Sequence, residues 1–173
     1  MQTKILVKKA KAGDKNALVQ LVIYQKDEYY KLAYVYLKNK EDALDAMEDM
    51  IIILYENIDK LKKHESFYSW SKTILVNRCK RIIKERKKTI PLNSINELYY
   101  EGDIEKRDNK IILEKYISQL GEKYQDVIRL RYFLDLEYKV ISQILNIPLG
   151  TVKSRISNAI KKLKDKIGGE DIE

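Results

Sequence analysis

Cysteine and histidine occur once each in this chain of 173 residues, as Cys79 and His64. That leaves almost no material for a disulfide framework, a zinc site or a Cys/His nucleophile pair, so neither catalysis nor a metal or cofactor is expected. With only 6 Gly and 2 Pro, a strand-rich architecture built on tight turns is disfavoured as well. No apolar run approaches the length of a membrane-spanning helix, and the opening MQTKILVKKAKAGDK lacks the apolar core of a signal peptide. A cytoplasmic protein with no membrane insertion is the expectation.

What is present is charge laid over helical periodicity. Apolar residues make up 45% of the chain and charged ones 35%, and 34 Lys and Arg outnumber 26 Asp and Glu for a net charge of +8. A polyanionic partner follows, although the excess alone does not choose between nucleic acid and acidic lipid. The length admits one domain or two small ones.

The most informative stretch is Glu137 to Lys166, EYKVISQILNIPLGTVKSRISNAIKKLKDK. Ile141, Ile144 and Leu145 mark one helix, and Asn146, Ile147 and Pro148 break it, Asn being tolerant of the left-handed conformation. A second helix carries Val152, Ile156, Ile160, Leu163 and Ile167 along one side. At about 100° per residue, Ser154, Ser157 and Lys161 fall on the opposite side, flanked by Lys153 and Asn158. Such a pair reads as a helix-turn-helix whose second helix enters the major groove, where Lys reaches guanine, Asn pairs with adenine and Ser suits several base edges. Arg155, Lys162, Lys164 and Lys166 lie towards the flanks, where phosphates would be. Set against this is a plain amphipathic hairpin with a solvated basic face, which the turn and the run GTVKSR argue against.

Upstream, the periodicity predicts a short helix over Lys4 to Lys11 and further helices over Lys15 to about Lys38, bent near Lys26, Lys40 to about Ile58 and Ser66 to about Lys88. Gly13 ends the first, and Asp14 and Asn39 cap the second and third. In the third, Leu44, Met47, Ile51, Leu54 and Ile58 are the expected core, and Glu41, Asp42, Asp45, Glu48 and Asp49 gather acid on the remaining surface. The fourth reverses this. Phe67, Trp70, Ile74 and Leu75 are its expected buried side, with Cys79 a small core residue. Asn77, Lys80, Arg81, Lys84, Lys87 and Lys88 form a basic stripe that Arg78 and Arg86 broaden. Beside Tyr68 and the loop Asp59 to Glu65, where His64 should be exposed, the stripe offers what a single strand needs: cations for the backbone and aromatic or polar surface for bases.

Periodicity fails over Thr89 to Asn109, which reads as a linker of about 20 residues; fully extended, it would span roughly 70 Å. Beyond it, helices are expected over Lys110 to Gln119 and Glu122 to Tyr132, so that the helix-turn-helix completes a four-helix domain before a short GGEDIE tail. The fold class is therefore all-α, with small helical domains at residues 1–88 and 110–173 joined by a flexible linker at 89–109.

Leu120 to Leu163, including VIRLRY, resembles the C-terminal promoter-binding domain of the extracytoplasmic-function group of sigma-70-type initiation factors. EDALDAMEDMIIILYENI followed by FYSWSKTILVNRCKRIIKERKK resembles the N-terminal domain of the same group, in the right order. The chain departs from the usual pattern at Leu44, Asp49, Ser71, Gly121, Asp135 and Ser142.

The resemblance implies that Asp42, Asp45, Glu48 and Asp49 dock on the beta-prime clamp helices of core RNA polymerase. Lys62, Lys63, His64, Tyr68, Asn77, Arg78, Lys80, Arg81 and Lys84 would hold the melted minus-10 element of promoter DNA. Thr151, Lys153, Ser154, Arg155, Ser157, Asn158, Lys161 and Lys162 would read the minus-35 duplex, and an anti-sigma factor is implied as a further partner. The rival readings are a conventional helix-turn-helix regulator acting on duplex DNA without core polymerase, and a helical scaffold whose basic faces are incidental.

Overall fold

The computed structural model describes residues 2–89 and 112–168, which fold as an N-terminal and a C-terminal unit. All regular structure among the described residues is helical, as the composition requires. The expected linker lies outside them except for Thr89, which closes a helix. Lys110 and residues 169–173 of the tail lie outside them too.

The N-terminal unit holds α1 (Gln2–Lys11), α2 (Lys15–Tyr24), α3 (Lys26–Leu37), α4 (Lys40–Asn57) and α5 (Phe67–Thr89). Gly13, at φ 95°, turns the chain after α1, and the Asp14 carboxylate accepts the Ala17 N–H at 3.1 Å to start α2. Asn39 does the same for α4, accepting from the Asp42 N–H at 3.0 Å. The helix expected over 15–38 with a bend near Lys26 is two helices, fully broken one residue earlier at Gln25 (φ −122°, ψ 23°). Unbroken, it would run about 36 Å. The break lets α2 pack on α1 while α3 packs on both α4 and α5.

Tyr29, Leu21, Leu32, Met50, Leu54, Phe67 and Leu75 are the large fully buried side chains of this unit. Cys79 is buried with them, and burial pushes its thiol up to about 12, so it stays neutral. Ser71, one of the departures from the resembled pattern, is buried against Tyr29: the two hydroxyl oxygens are 2.7 Å apart. Because Ser71 donates its one proton to the Tyr68 carbonyl at 3.0 Å, the Tyr29 hydroxyl is the donor to Ser71. Burial drives the Tyr29 pKa up, and it remains a phenol. Ser71→Ala, which orphans that phenol, is expected to cost about 1–3 kcal/mol in urea unfolding. The same change made in a Tyr29→Phe background should cost clearly less, and equal costs would show the bond to be energetically idle.

The C-terminal unit holds α6 (residues 112–118), α7 (Glu122–Ile128), α8 (Tyr138–Leu145) and α9 (Leu149–Ile167). Ile117, Leu120, Ile128 and Ala159 form a buried cluster, with Tyr124, Phe133, Ile160 and Leu163 packed on it. The helix expected to run straight to Tyr132 changes to a wider π turn over Arg129–Phe133. The chain then reverses through Asp135 at φ 49°. Arg131 secures the reversal, donating to the Asp135 carboxylate at 3.1 Å and the Leu136 carbonyl at 3.2 Å while its guanidinium lies 5.6 Å from the Tyr138 ring centre.

Candidate nucleic-acid interface

The turn between α8 and α9 is set by three residues. Asn146 takes the left-handed conformation (φ 52°, ψ 48°), as its side chain permits. Ser142 ties the turn from both sides: its hydroxyl donates to the Ile147 carbonyl at 2.6 Å, and its own carbonyl accepts the Ile147 N–H at 3.1 Å. Pro148 then starts α9, its carbonyl accepting from the Val152 N–H at 3.1 Å. Ser142, one of the departures from the resembled pattern, is therefore the staple of the motif.

On α9, Val152, Ile156 and Ala159 are buried, whereas Lys153, Ser154, Ser157, Asn158, Lys161 and Lys162 are exposed. Thr151 and Arg155 are half-buried at the margins. The sequence-predicted reading face is thus brought together on one side of one helix. Two cations lean away from it: the Lys162 ammonium lies 5.7 Å from the Tyr124 ring centre, and Lys166 donates to Gln119 at 3.1 Å. The expected apolar stripe fades at its far end. Ile160 and Leu163 are half-buried and Ile167 is exposed, while Ala159, which the stripe did not include, is fully buried.

In the N-terminal unit the basic stripe of α5 forms as expected at Asn77, Arg81, Lys84, Lys87 and Lys88, all exposed, with Lys80 half-buried. From Asn77 to Lys88 it covers about 16 Å. Two expectations about its aromatic neighbours are reversed. Tyr68 is nine residues before Asn77, about half a turn out of phase, and it stacks on Tyr24 of α2 with ring centres 6.4 Å apart. Trp70, seven residues before Asn77, shares the stripe's face and is only half-buried, as is Ile74. The actual core side of α5 is Phe67, Ser71, Leu75, Val76 and Cys79.

The expected loop at 59–65 contains two short 3-10 turns, Ile58–Lys60 and His64–Ser66. Leu61 is buried between them, and its carbonyl accepts from Lys11 at 3.0 Å. Lys62 and Lys63 are exposed as expected, and His64 is half-buried, not exposed. Lys4 sits 3.1 Å from Glu65, whose own backbone N–H and then Lys4 hold its carboxyl below the usual range.

The apolar core of α4 is rotated from the expected one. Ala43, Ala46, Met50 and Leu54 are buried, along with Ile58 just past the helix; Met47 and Ile51 are half-buried; Leu44 is 51% exposed. Ile52 and Tyr55 are 56% and 49% exposed on the same side as Leu44, two or three turns along. Glu41, Asp45 and Glu48 are exposed among them, which makes an acidic row with an apolar centre. Asp42 and Asp49, expected in that row, turn aside. Asp42 pairs with Arg86 of α5, and Asp49 accepts from the Arg78 side-chain Nε–H at 2.5 Å. The sequence held one signal for this. MIIIL at Met50 to Leu54 is apolar all round a helix, so one packed side cannot cover it.

An acidic and apolar helix, a basic helix and a helix-turn-helix with an exposed basic face follow one another along the chain, the arrangement of a DNA-directed transcription factor. Residues 21–89 match the Sigma-70 region 2 family and residues 110–163 the Sigma-70, region 4 family. The chain is 31% identical to the ECF RNA polymerase sigma factor SigW of Bacillus subtilis, covering 96% of this chain and 97% of that protein. It is 27% identical to the RNA polymerase sigma factor SigV of the same organism, covering 95% and 99%. Among solved structures, CnrH in complex with the cytosolic domain of CnrY shares the fold, with a TM-score of 0.68 at 18% identity over 98% of this chain and 99% of that one. So does the sigma factor RpoE of Bartonella quintana in complex with the anti-sigma factor NepR, with a TM-score of 0.59 at 18% identity over 86% and 95%. The chain belongs to the extracytoplasmic-function (ECF) family of RNA polymerase sigma factors, and its role is transcription initiation. Among the described residues, no helix is long and apolar enough to cross a membrane.

Proposed function

We propose that the exposed row of α4, Glu41, Leu44, Asp45, Glu48, Ile52 and Tyr55, docks on the beta-prime clamp helices of core RNA polymerase. The α5 stripe, with Trp70, Lys62 and Lys63 nearby in sequence, takes the opened minus-10 strand. The α9 face from Thr151 to Lys162 reads the minus-35 duplex. Residues 1–88 and 110–173 act as the two DNA-contacting domains, with 89–109 as the connection. An anti-sigma factor is the partner proposed to hold the chain inactive.

The observation that carries this reading is the separation of surfaces: exposed acid and apolar side chains on α4, exposed cations on α5 and α9. No active site is required. Unpairing and unstacking a base costs on the order of a few kcal/mol, so the α5 surface must favour the opened strand over the duplex by at least that much. Equal affinity for both forms would melt nothing. Each unit alone is then a modest DNA binder, and attachment to polymerase raises the effective concentration of the second contact. Free protein should bind promoter DNA weakly and with a steep salt dependence.

Run-off transcription with core polymerase tests the reading. Promoter-specific transcripts are expected only when both are present. Tight, sequence-selective duplex binding by the free chain, with no transcript on adding core enzyme, would favour a conventional regulator instead.

A further inference from the structure

Two ion pairs between α4 and α5 form a ladder. Asp42 meets Arg86 and Asp49 meets Arg78, so the carboxylates are seven residues apart on one helix and the guanidiniums eight apart on its antiparallel neighbour. The rungs therefore stand about 10–12 Å apart along both axes. All four side chains are partly buried, the least covered, Asp49, being 37% exposed. At such partly covered sites each pair is modest in strength, but giving up one partner leaves the other without its counter-charge.

The geometry on each helix separates the rungs from the surfaces proposed to touch polymerase and DNA. On α4, Asp42 and Asp49 lie about 100–120° round from Glu48, between the exposed row and the buried Ala46 and Met50. On α5, Arg78 and Arg86 lie about 100° and 180° round from Asn77, away from the centre of the stripe. Two rungs two turns apart fix both the axial register and the relative rotation of the helices. A slip by one residue would rotate one face by about 100° relative to the other.

We infer that Asp42, Asp49, Arg78 and Arg86 are positioning residues. They hold the α5 strand-binding face at a set angle to the α4 docking face, and they contact neither polymerase nor DNA. This rests on the roles proposed above for those two faces, and it withdraws Asp42, Asp49 and Arg78 from the contacts that the family resemblance implies. Guanidinium suits the task because its planar fork holds a carboxylate in a fixed direction.

Charge exchange in the full-length chain tests the inference. Asp49→Arg and Arg78→Asp should each lower run-off transcription with core polymerase about tenfold or more, and the double exchange should return it to within about threefold of the unaltered chain. A double variant no better than the poorer single one would overturn the inference, because a residue touching a partner is not rescued from within the chain. Should either single variant fail to fold, Asp49→Asn serves in its place. It should lower transcript yield about three- to tenfold while capture of core polymerase stays within twofold. A matching loss of capture would instead make Asp49 a docking contact and overturn the assignment. Activity of the unaltered chain with core enzyme is measured alongside; its absence would defeat the proposed function itself, which keeps the two failures apart.

Discussion

Replacing Lys153, Ser157 and Lys161 together by Glu is expected to lower promoter-specific transcription at least a hundredfold while leaving helical content and capture of core polymerase unchanged. All three side chains are exposed on the side of α9 opposite Val152, Ile156 and Ala159, so the packed side is untouched. The charge of the face changes by −5, two Lys removed and three Glu added. Each specific base contact is worth about 1–3 kcal/mol and tenfold is 1.4 kcal/mol, so removing two or three of them at about 2 kcal/mol each gives roughly 10³ to 10⁴. Repulsion from the phosphates adds to this and weakens with salt. Transcript yield and duplex binding, each measured at two salt concentrations, check the result. Unchanged transcription would return α9 to the status of a solvated amphipathic helix.

The second large effect is expected on α4. Changing Leu44, Ile52 and Tyr55 together to Ala should weaken capture of core polymerase at least thirtyfold, with folding stability moving by less than about 1 kcal/mol. The three are about half exposed, so truncation opens no cavity in the fold. The Lys15 ammonium lies over the Tyr55 ring at 5.1 Å, and giving up that cation–π interaction costs about 0.5–1 kcal/mol at an exposed site. At an interface, by contrast, apolar and aromatic anchors cost more than 1 kcal/mol each on truncation, and Tyr is over-represented among them. The experiment also separates two accounts of Leu44. As a core residue its truncation would cost about 2–5 kcal/mol of stability; as a docking residue it costs binding. Co-purification and urea unfolding on the same protein decide between them.

The elements most legible in the sequence were those whose residues carry their own local geometry. Asp14, Asn39, Asn146 and Pro148 fix helix ends through short-range bonds and backbone preferences, and all four act where expected. The α9 face was legible too, because its apolar stripe and its polar side do not overlap. Facing on α4 was not: a helix with apolar residues all round has no single buried side until its neighbours are known, and the small Ala43 and Ala46 gave little signal against Leu44 and Ile51. The π turn at Arg129 was hidden for a related reason, and near Lys26 a bend was legible but not the full break at Gln25, which serves packing partners distant in sequence. At Asp49 and Arg78, charge sign was readable and pairing was not. Two residues of opposite sign, one expected to face a protein and the other DNA, are bonded to each other.

The buried state of Cys79 has a practical consequence. As the sole thiol of the chain, sealed in the core and held neutral, it should resist maleimide reagents while the protein is folded. New cysteines placed at exposed positions such as Asn16 and Glu122, one in each unit, would then take up donor and acceptor dyes without deleting the native residue. Energy transfer between the dyes would report the distance between the units when the chain joins the polymerase.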